Sequence, residues 1–178
     1  MNNLSDQLTA LASTGSSVTV SGFTKATFNA VADANGVAVF TITDSSIFTS
    51  TIKEYEFKLN GATTVIINSD ATTVDIEANF LGGTARTLGS TVLWNFYDAT
   101  DITVRNEFGG SILAPEATLT NSNNIEGGIY VKTLDQRGEI HLQPFNGTIP
   151  TSPVPEPTTM LLLGTGIVGL AATWRRRK

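Results

Sequence analysis

Apolar and β-branched residues recur along the chain in short runs, each closed by Gly, Asn, Asp or Ser. The clearest are 37–43 (VAVFTIT), 64–68 (TVIIN), 72–77 (TTVDIE), 91–96 (TVLWNF) and 101–104 (DITV). Runs of this length with turn formers at both ends predict strands. One segment has a different period. Leu4, Leu8 and Leu11 fall at i, i+4 and i+7 and Gly15 follows as a stop, which predicts a helix over 4–12.

The second half carries a spacing signal. Trp94-Asn95-Phe96, Ser111-Ile112-Leu113 and Gly128-Ile129-Tyr130 recur at a constant step, interleaved with Ile102-Thr103-Val104, Thr118-Leu119-Thr120 and Thr133-Leu134. A near-constant step predicts a coiled sheet whose chain returns above its previous turn. Gly109-Gly110, the 121–124 segment, Gly127-Gly128 and Gly138 would supply the corners. The expected class is mainly β, a β-solenoid (β-helix) with one short N-terminal α-helix. A β-sandwich is the competing arrangement.

The pattern changes again at the C-terminus. Pro150, Pro153, Pro155 and Pro157 make 150–157 an extended linker. Residues 158–174 then carry no charge. As a helix they would reach roughly 25 Å, the short limit for a hydrocarbon core of roughly 30 Å. Trp174 suits the membrane interface, and Arg175, Arg176, Arg177 and Lys178 would be retained on the cytoplasmic side. The organisation expected is therefore a β domain over 1–149, the linker, a transmembrane helix over 158–174 and a basic tip at 175–178.

Charge sharpens that division. Residues 1–155 hold fifteen Asp and Glu against seven Lys and Arg, while the last four residues are all cationic. An acidic body lacks the cations that displace counterions from a phosphate backbone, so nucleic acid is not an expected partner. The absence of cysteine excludes disulfides, thiolate metal sites and a cysteine nucleophile. No secretory signal peptide is visible in the opening residues, MNNLSDQLTALAST.

Candidate chemistry is sparse. His141 is the only histidine and shares a strand face with Glu139, but a lone His lacks the further ligands or nucleophile that a site requires. Asp98, Asp101, Glu107 and Glu116 form a loose acidic group without a calcium-loop pattern. Thr41/Thr43 and Thr118/Thr120 are Thr-x-Thr pairs of the kind that order water on ice-binding surfaces, yet two pairs out of line make no array. Asn146-Gly147-Thr148 matches a glycosylation sequon that is too short to carry weight. No catalytic, cofactor or metal residue is assigned, and no enzyme activity is expected.

Two resemblances add to this reading. Val154-Pro155-Glu156-Pro157, the apolar stretch and the terminal basic cluster together resemble the PEP-CTERM sorting signal of Gram-negative bacteria. That implies recognition and cleavage by an exosortase, an inner-membrane precursor, and a body that ends at the cell surface or in an exopolysaccharide matrix. The segments 90–100, 108–115, 125–131 and 138–145 are similar to the choice-of-anchor A domain. This implies a β-solenoid with a helix alongside, similar to bacterial ice-binding and adhesin domains, and the role expected of the chain is structural or adhesive, with polysaccharide or matrix protein as partner. A polysaccharide-active enzyme and an ice-binding or adhesin module are the alternatives. In that family further strands precede the helix, so the chain is also expected to be N-terminally truncated.

Overall fold

The computed structural model of the protein describes residues 1–150. The β-branched runs form strands close to their expected bounds. In chain order these are β1 (Ser17–Ser21), β2 (Lys25–Asn29), β3 (Val37–Ile42), β4 (Glu54–Lys58), β5 (Thr64–Ser69), β6 (Thr73–Ile76) and β7 (Asn79–Phe80). There follow β8 (Val92–Phe96), β9 (Asp101–Val104), β10 (Phe108–Gly109), β11 (Ser111–Asn121), β12 (Ile125–Glu126), β13 (Ile129–Gln136) and β14 (Ile140–His141). Two helices accompany them, α1 (Asn2–Thr9) and a short α2 (Ala85–Leu88) that the sequence pattern did not disclose.

The strands are shared among three sheets, which overturns the expected β-solenoid. One sheet has the order β1-β2-β4-β7 and mixes an antiparallel hairpin, β1 with β2, with parallel neighbours. A second is β10-β12-β14, and the third joins seven strands through β3-β5-β8-β11-β9-β6, with β13 also on β11. The result is a half-barrel of mixed sheets, not a uniform coil. The physical reason is that the step between paired residues is not constant. Phe40 pairs with Ile67 and Ile67 with Trp94 across long connections, whereas Leu119 pairs with Leu134 across a short one. The longer connections hold β4, α2 and a 3₁₀ turn, Ser45–Phe48, and these enclose the concave side. The expected transmembrane helix at 158–174 lies outside the described residues; among the described residues no helix is long and apolar enough to cross a membrane.

Register fixes the direction of every side chain. Phe40, Ile67, Trp94, Ile112 and Ile129 form one row across the sheet and point inward. Trp94 lies against Phe28, Phe48, Tyr55, Phe57, Phe96 and Phe108, with ring centroids 5.2–6.3 Å apart. Its indole N–H donates to the Gly109 carbonyl at 2.9 Å. Gly110 has φ +111, and a Cβ there would strike the indole. The Gly109-Gly110 pair therefore serves the approach of Trp94 as well as a corner.

The opposite face of β3, β5, β8 and β11 carries Val37, Val39, Ile66, Leu93 and Leu113, which pack with Leu8 of α1 and with Leu4, Leu11, Phe145 and Ile149. The three-leucine stripe read from the sequence is this contact. Two asparagines stand among these apolar groups, Asn68 and Asn95, paired in register and buried. Asn68 Nδ2 donates to the Leu8 carbonyl at 2.7 Å, and Asn95 Nδ2 to the Ser5 carbonyl at 3.1 Å and to Asn68 Oδ1 at 2.8 Å. Ser5 Oγ donates back to Asn95 Oδ1 at 2.6 Å. Buried amides are tolerated when each polar atom finds a partner, and here they lock α1 in one position.

Replacing Asn95 by Ala leaves Asn68 Oδ1 and Ser5 Oγ without their buried partner, a loss of about 1–3 kcal/mol. Urea unfolding followed by tryptophan fluorescence measures it. A change smaller than the scatter of a surface substitution would mean that α1 is held by its leucines alone.

Candidate functional site

Across β6, β9, β11 and β13 the residues that point away from the core are hydroxyls and carboxylates in register. Thr73, Asp101, Thr118 and Thr133 make one row, and Asp75, Thr103, Thr120 and Asp135 the next. Between them Val74, Ile102 and Leu119 point inward and are buried. Alternation at period two separates the two sets. Each strand thus shows a pair of Thr or Asp residues two positions apart, at spacings of about 4.8 Å between strands and about 6.6–7 Å along them.

Of the two Thr-x-Thr pairs singled out in the sequence, Thr118/Thr120 sits at the middle of this face and Thr41/Thr43 lies elsewhere, on and after β3. The array was hidden because its other members are half aspartate, and because the residues that align are separated by fifteen to twenty-eight positions. Arg105 donates to Asp75 through Nε and Nη2 at 2.7 and 3.1 Å, and Arg137 pairs with Asp135 at 2.6 Å. These pairs hold each guanidinium, its pKa raised by the carboxylate hydrogen bond, against the edge of the polar rows.

A second cluster ties β12 to β14. Glu126 has a side chain only 2% exposed and accepts from His141 Nδ1 at 2.6 Å and Gln143 Nε2 at 2.6 Å. His141 Nε2 meets Glu139 at 2.9 Å, so the His141/Glu139 pair expected from the sequence is formed. Both ring nitrogens face carboxyl oxygens, and the imidazolium, with two N–H donors, is the form of His141 that donates to both. The hydrogen bonds to Glu139 and Glu126 raise the His141 pKa above its ordinary 6.5. Arg86 of α2 approaches Glu126 at 3.7 Å and Glu107 at 3.5 Å. Two carboxylates beside one imidazole resemble acid–base machinery, but the burial of Glu126 and its two short hydrogen bonds leave it inaccessible to substrate. The cluster is a clasp on the last strand.

The loose acidic group of the sequence is not brought together. Glu107 faces Arg86, Glu116 faces Lys132, and Asp101 belongs to the polar row. Among the described residues no group of three or more His, Cys, Asp or Glu could hold a metal ion. An apolar cleft of about 240 Å³ lies between α1 and the chain after β14, lined by Met1, Leu4, Leu93, Leu113, Tyr130, Phe145 and Ile149. The expected sorting residues Val154, Pro155, Glu156 and Pro157, and Trp174, Arg175, Arg176, Arg177 and Lys178, all lie outside the described residues.

The clasp gives a pH dependence of defined sign. A raised folded pKa means that the imidazolium contacts stabilise the fold fully below the unfolded value near 6.5. That stability is lost as pH rises through the higher folded value. The melting temperature of the protein minus that of His141→Gln should be largest in mild acid, above the carboxylate range, and should shrink toward alkaline pH. A difference that is flat across this window would remove the clasp.

No curated protein and no solved structure matches the chain. A PEP-CTERM protein-sorting motif matches residues 153–178, in agreement with the tail as read from the sequence. The family described as "Putative Ice-binding-like adhesive domain" matches residues 1–142; its description does not name choice-of-anchor A, the finer resemblance drawn above. With most of its length matched, the chain belongs to this family of ice-binding-like adhesive domains.

Proposed function

We propose that the protein is an exported, surface-sorted adhesive module of the choice-of-anchor A type, whose Thr/Asp face makes weak, repeated contacts with polysaccharide. The observation that carries the reading is the register of that face within an adhesive family. Hydroxyls and carboxylates at regular spacing can each form a hydrogen bond with a sugar hydroxyl, and several such bonds in series add through effective concentration. No single contact has to be strong.

In this reading the PEP-CTERM motif supplies the address. Val154, Pro155, Glu156 and Pro157 are the element an exosortase recognises, and Trp174 with Arg175, Arg176, Arg177 and Lys178 forms the interface and charge end of the signal. The precursor is held at the inner membrane and the processed body reaches the cell surface or matrix. The adhesive family supports a non-enzymatic role.

Ice binding is the second reading, favoured by the same in-register threonines. The Asp75–Arg105 and Asp135–Arg137 pairs weigh against it, because ions on the face bind liquid water strongly. Thermal hysteresis and ice shaping by the purified chain would reverse this preference.

Two measurements test the proposal. Thr103→Val, Thr118→Val and Thr120→Val together keep side-chain shape and remove three hydroxyls. The triple variant should lose most of its retention on columns of immobilised neutral and anionic polysaccharides, and unchanged retention would overturn the polysaccharide reading. For the address, expression in an exosortase-positive host and its exosortase deletion should give a shortened surface form only in the first. The same uncleaved protein in both would overturn sorting.

A further inference from the structure

The seven-stranded sheet has three terminal strands, β3, β6 and β13, and they end differently. At β3 the outer edge is occupied by the protein's own chain. Thr14 N donates to the Val39 carbonyl at 3.2 Å, Val39 N to Thr14 Oγ1 at 3.0 Å and Asp33 N to the Val37 carbonyl at 2.8 Å, with a further bridge between Ala32 and Ala38. Among the described residues β13 pairs with β11 alone. The chain after β14 does not cover that edge. It turns back across the sheet, with Asn146 N donating to the Ser90 carbonyl and Thr148 N to Thr64 Oγ1, both at 2.9 Å.

Three of the exposed large apolar residues gather on β13 and just after β14: Tyr130 at 46%, Leu134 at 39% and Leu142 at 87%. Leu134 is exposed for a topological reason. It continues the inward row Val74–Ile102–Leu119, whose other members are buried, and among the described residues no further strand pairs with β13. An open edge ending an apolar row is a template for strand addition.

The occupant follows from the ends themselves. Head-to-tail addition of a second copy would need an open β3 or β6 edge; the β3 edge is closed, and β6 has the 3₁₀ turn Ser45–Phe48 beside it. A second copy that meets β13 with its own β13, across a two-fold axis and antiparallel, uses the same edge on both chains. Charge permits this. Residues 129–142 hold Lys132, Arg137 and His141 against Asp135 and Glu139, a patch without the acidic excess of the body. The hydrogen-bonding pattern also fits. Arg137 N donates to the Asn121 carbonyl on the β11 side, so alternation turns the N–H and C=O of Leu134 and Gln136 toward the free edge.

We infer that two copies of the chain associate through β13, with Leu134 opposite Leu134 of the second copy and Thr133 opposite Asp135 of the second copy. The two Leu134 residues exchange a reciprocal pair of backbone hydrogen bonds and cover each other's side chains on the inner face. On the outer face Thr133 donates to the opposed carboxylate, and the Thr/Asp rows continue across the axis into a surface of twice the width. The contact rests on the edge alone, so it stands whether or not the sorting and polysaccharide readings do.

Because the axis places position 134 against itself, charge at that position gives a specific test. The full chain is purified in mild detergent and its mass followed by sedimentation over a range of concentrations. The expected result is a concentration-dependent dimer that is lost in Leu134→Lys and in Leu134→Glu and restored when the two variants are mixed. Association through the apolar C-terminal stretch would be untouched by these changes. A monomer at all concentrations, or a dimer that both variants retain, would overturn the inference. Hydrogen exchange on the unaltered chain guards against misfolded variants. The Leu134 and Gln136 amides should gain protection as concentration rises, and protection independent of concentration would mean that the edge is covered by the chain itself.

Discussion

The register of β8 against β5 and β11 is the constraint on which the rest of the molecule depends. Trp94 stands opposite Ile67 and Ile112, and with a side-chain period of two this choice assigns every neighbour. Leu93 and Asn95 are sent to α1, and Val92, Trp94 and Phe96 to the core. A slip of one residue would drive the indole into the helix and Asn95 into the aromatic cluster. Two devices hold the register. Trp94 donates to the Gly109 carbonyl from within a ring of aromatic partners, and Asn95 joins Asn68 and Ser5 on the other face. A slipped pairing would leave these amides buried without partners, so polar specificity and apolar packing select the same alignment.

The bend of β11 carries that constraint to the functional face. Its first part, Ser111 to Leu113, pairs with β8, and its last part, Thr118 to Asn121, pairs with β9. Pro115, which lacks an N–H, falls between the two, where the pairing with β13 is also interrupted. One strand therefore turns the corner from the helix-covered wall to the open wall. Side chains that alternate between α1 and the core on the first wall alternate between solvent and the core on the second. The Thr/Asp rows are a consequence of the Trp94 alignment, carried through a single bent strand.

Much of this was legible in the sequence, and the failures have definite causes. The strand runs were plain because β-branched residues with turn formers at both ends have few other uses. The leucines that seat α1 were equally plain, although the helix runs over Asn2–Thr9 and not 4–12, and Leu11 follows its end. The step between strands misled. The sequence pattern aligns Trp94 with Ser111, whereas the true partner is Ile112. Val92 to Phe96 is buried on both faces, so its residues show no in-and-out alternation by which a one-residue slip could be noticed. A constant step in the second half was then extended to the whole chain as a solenoid. The earlier connections are longer, because they carry β4, α2 and the aromatic residues that fill the concave side. The helical turn at α2 is too short to leave a periodic signal.

The polar face shows why a surface can be harder to read than a core. A buried position accepts few residue types, so its pattern survives in the chain. An outward position accepts Thr or Asp alike, and Asp101 stands in register between Thr73 and Thr118. The regularity is in the positions and not in the identities, so only pairing reveals it. The same logic explains His141, whose partner Glu139 is close in sequence while Glu126, the partner that immobilises it, comes from the neighbouring strand. Register creates both features.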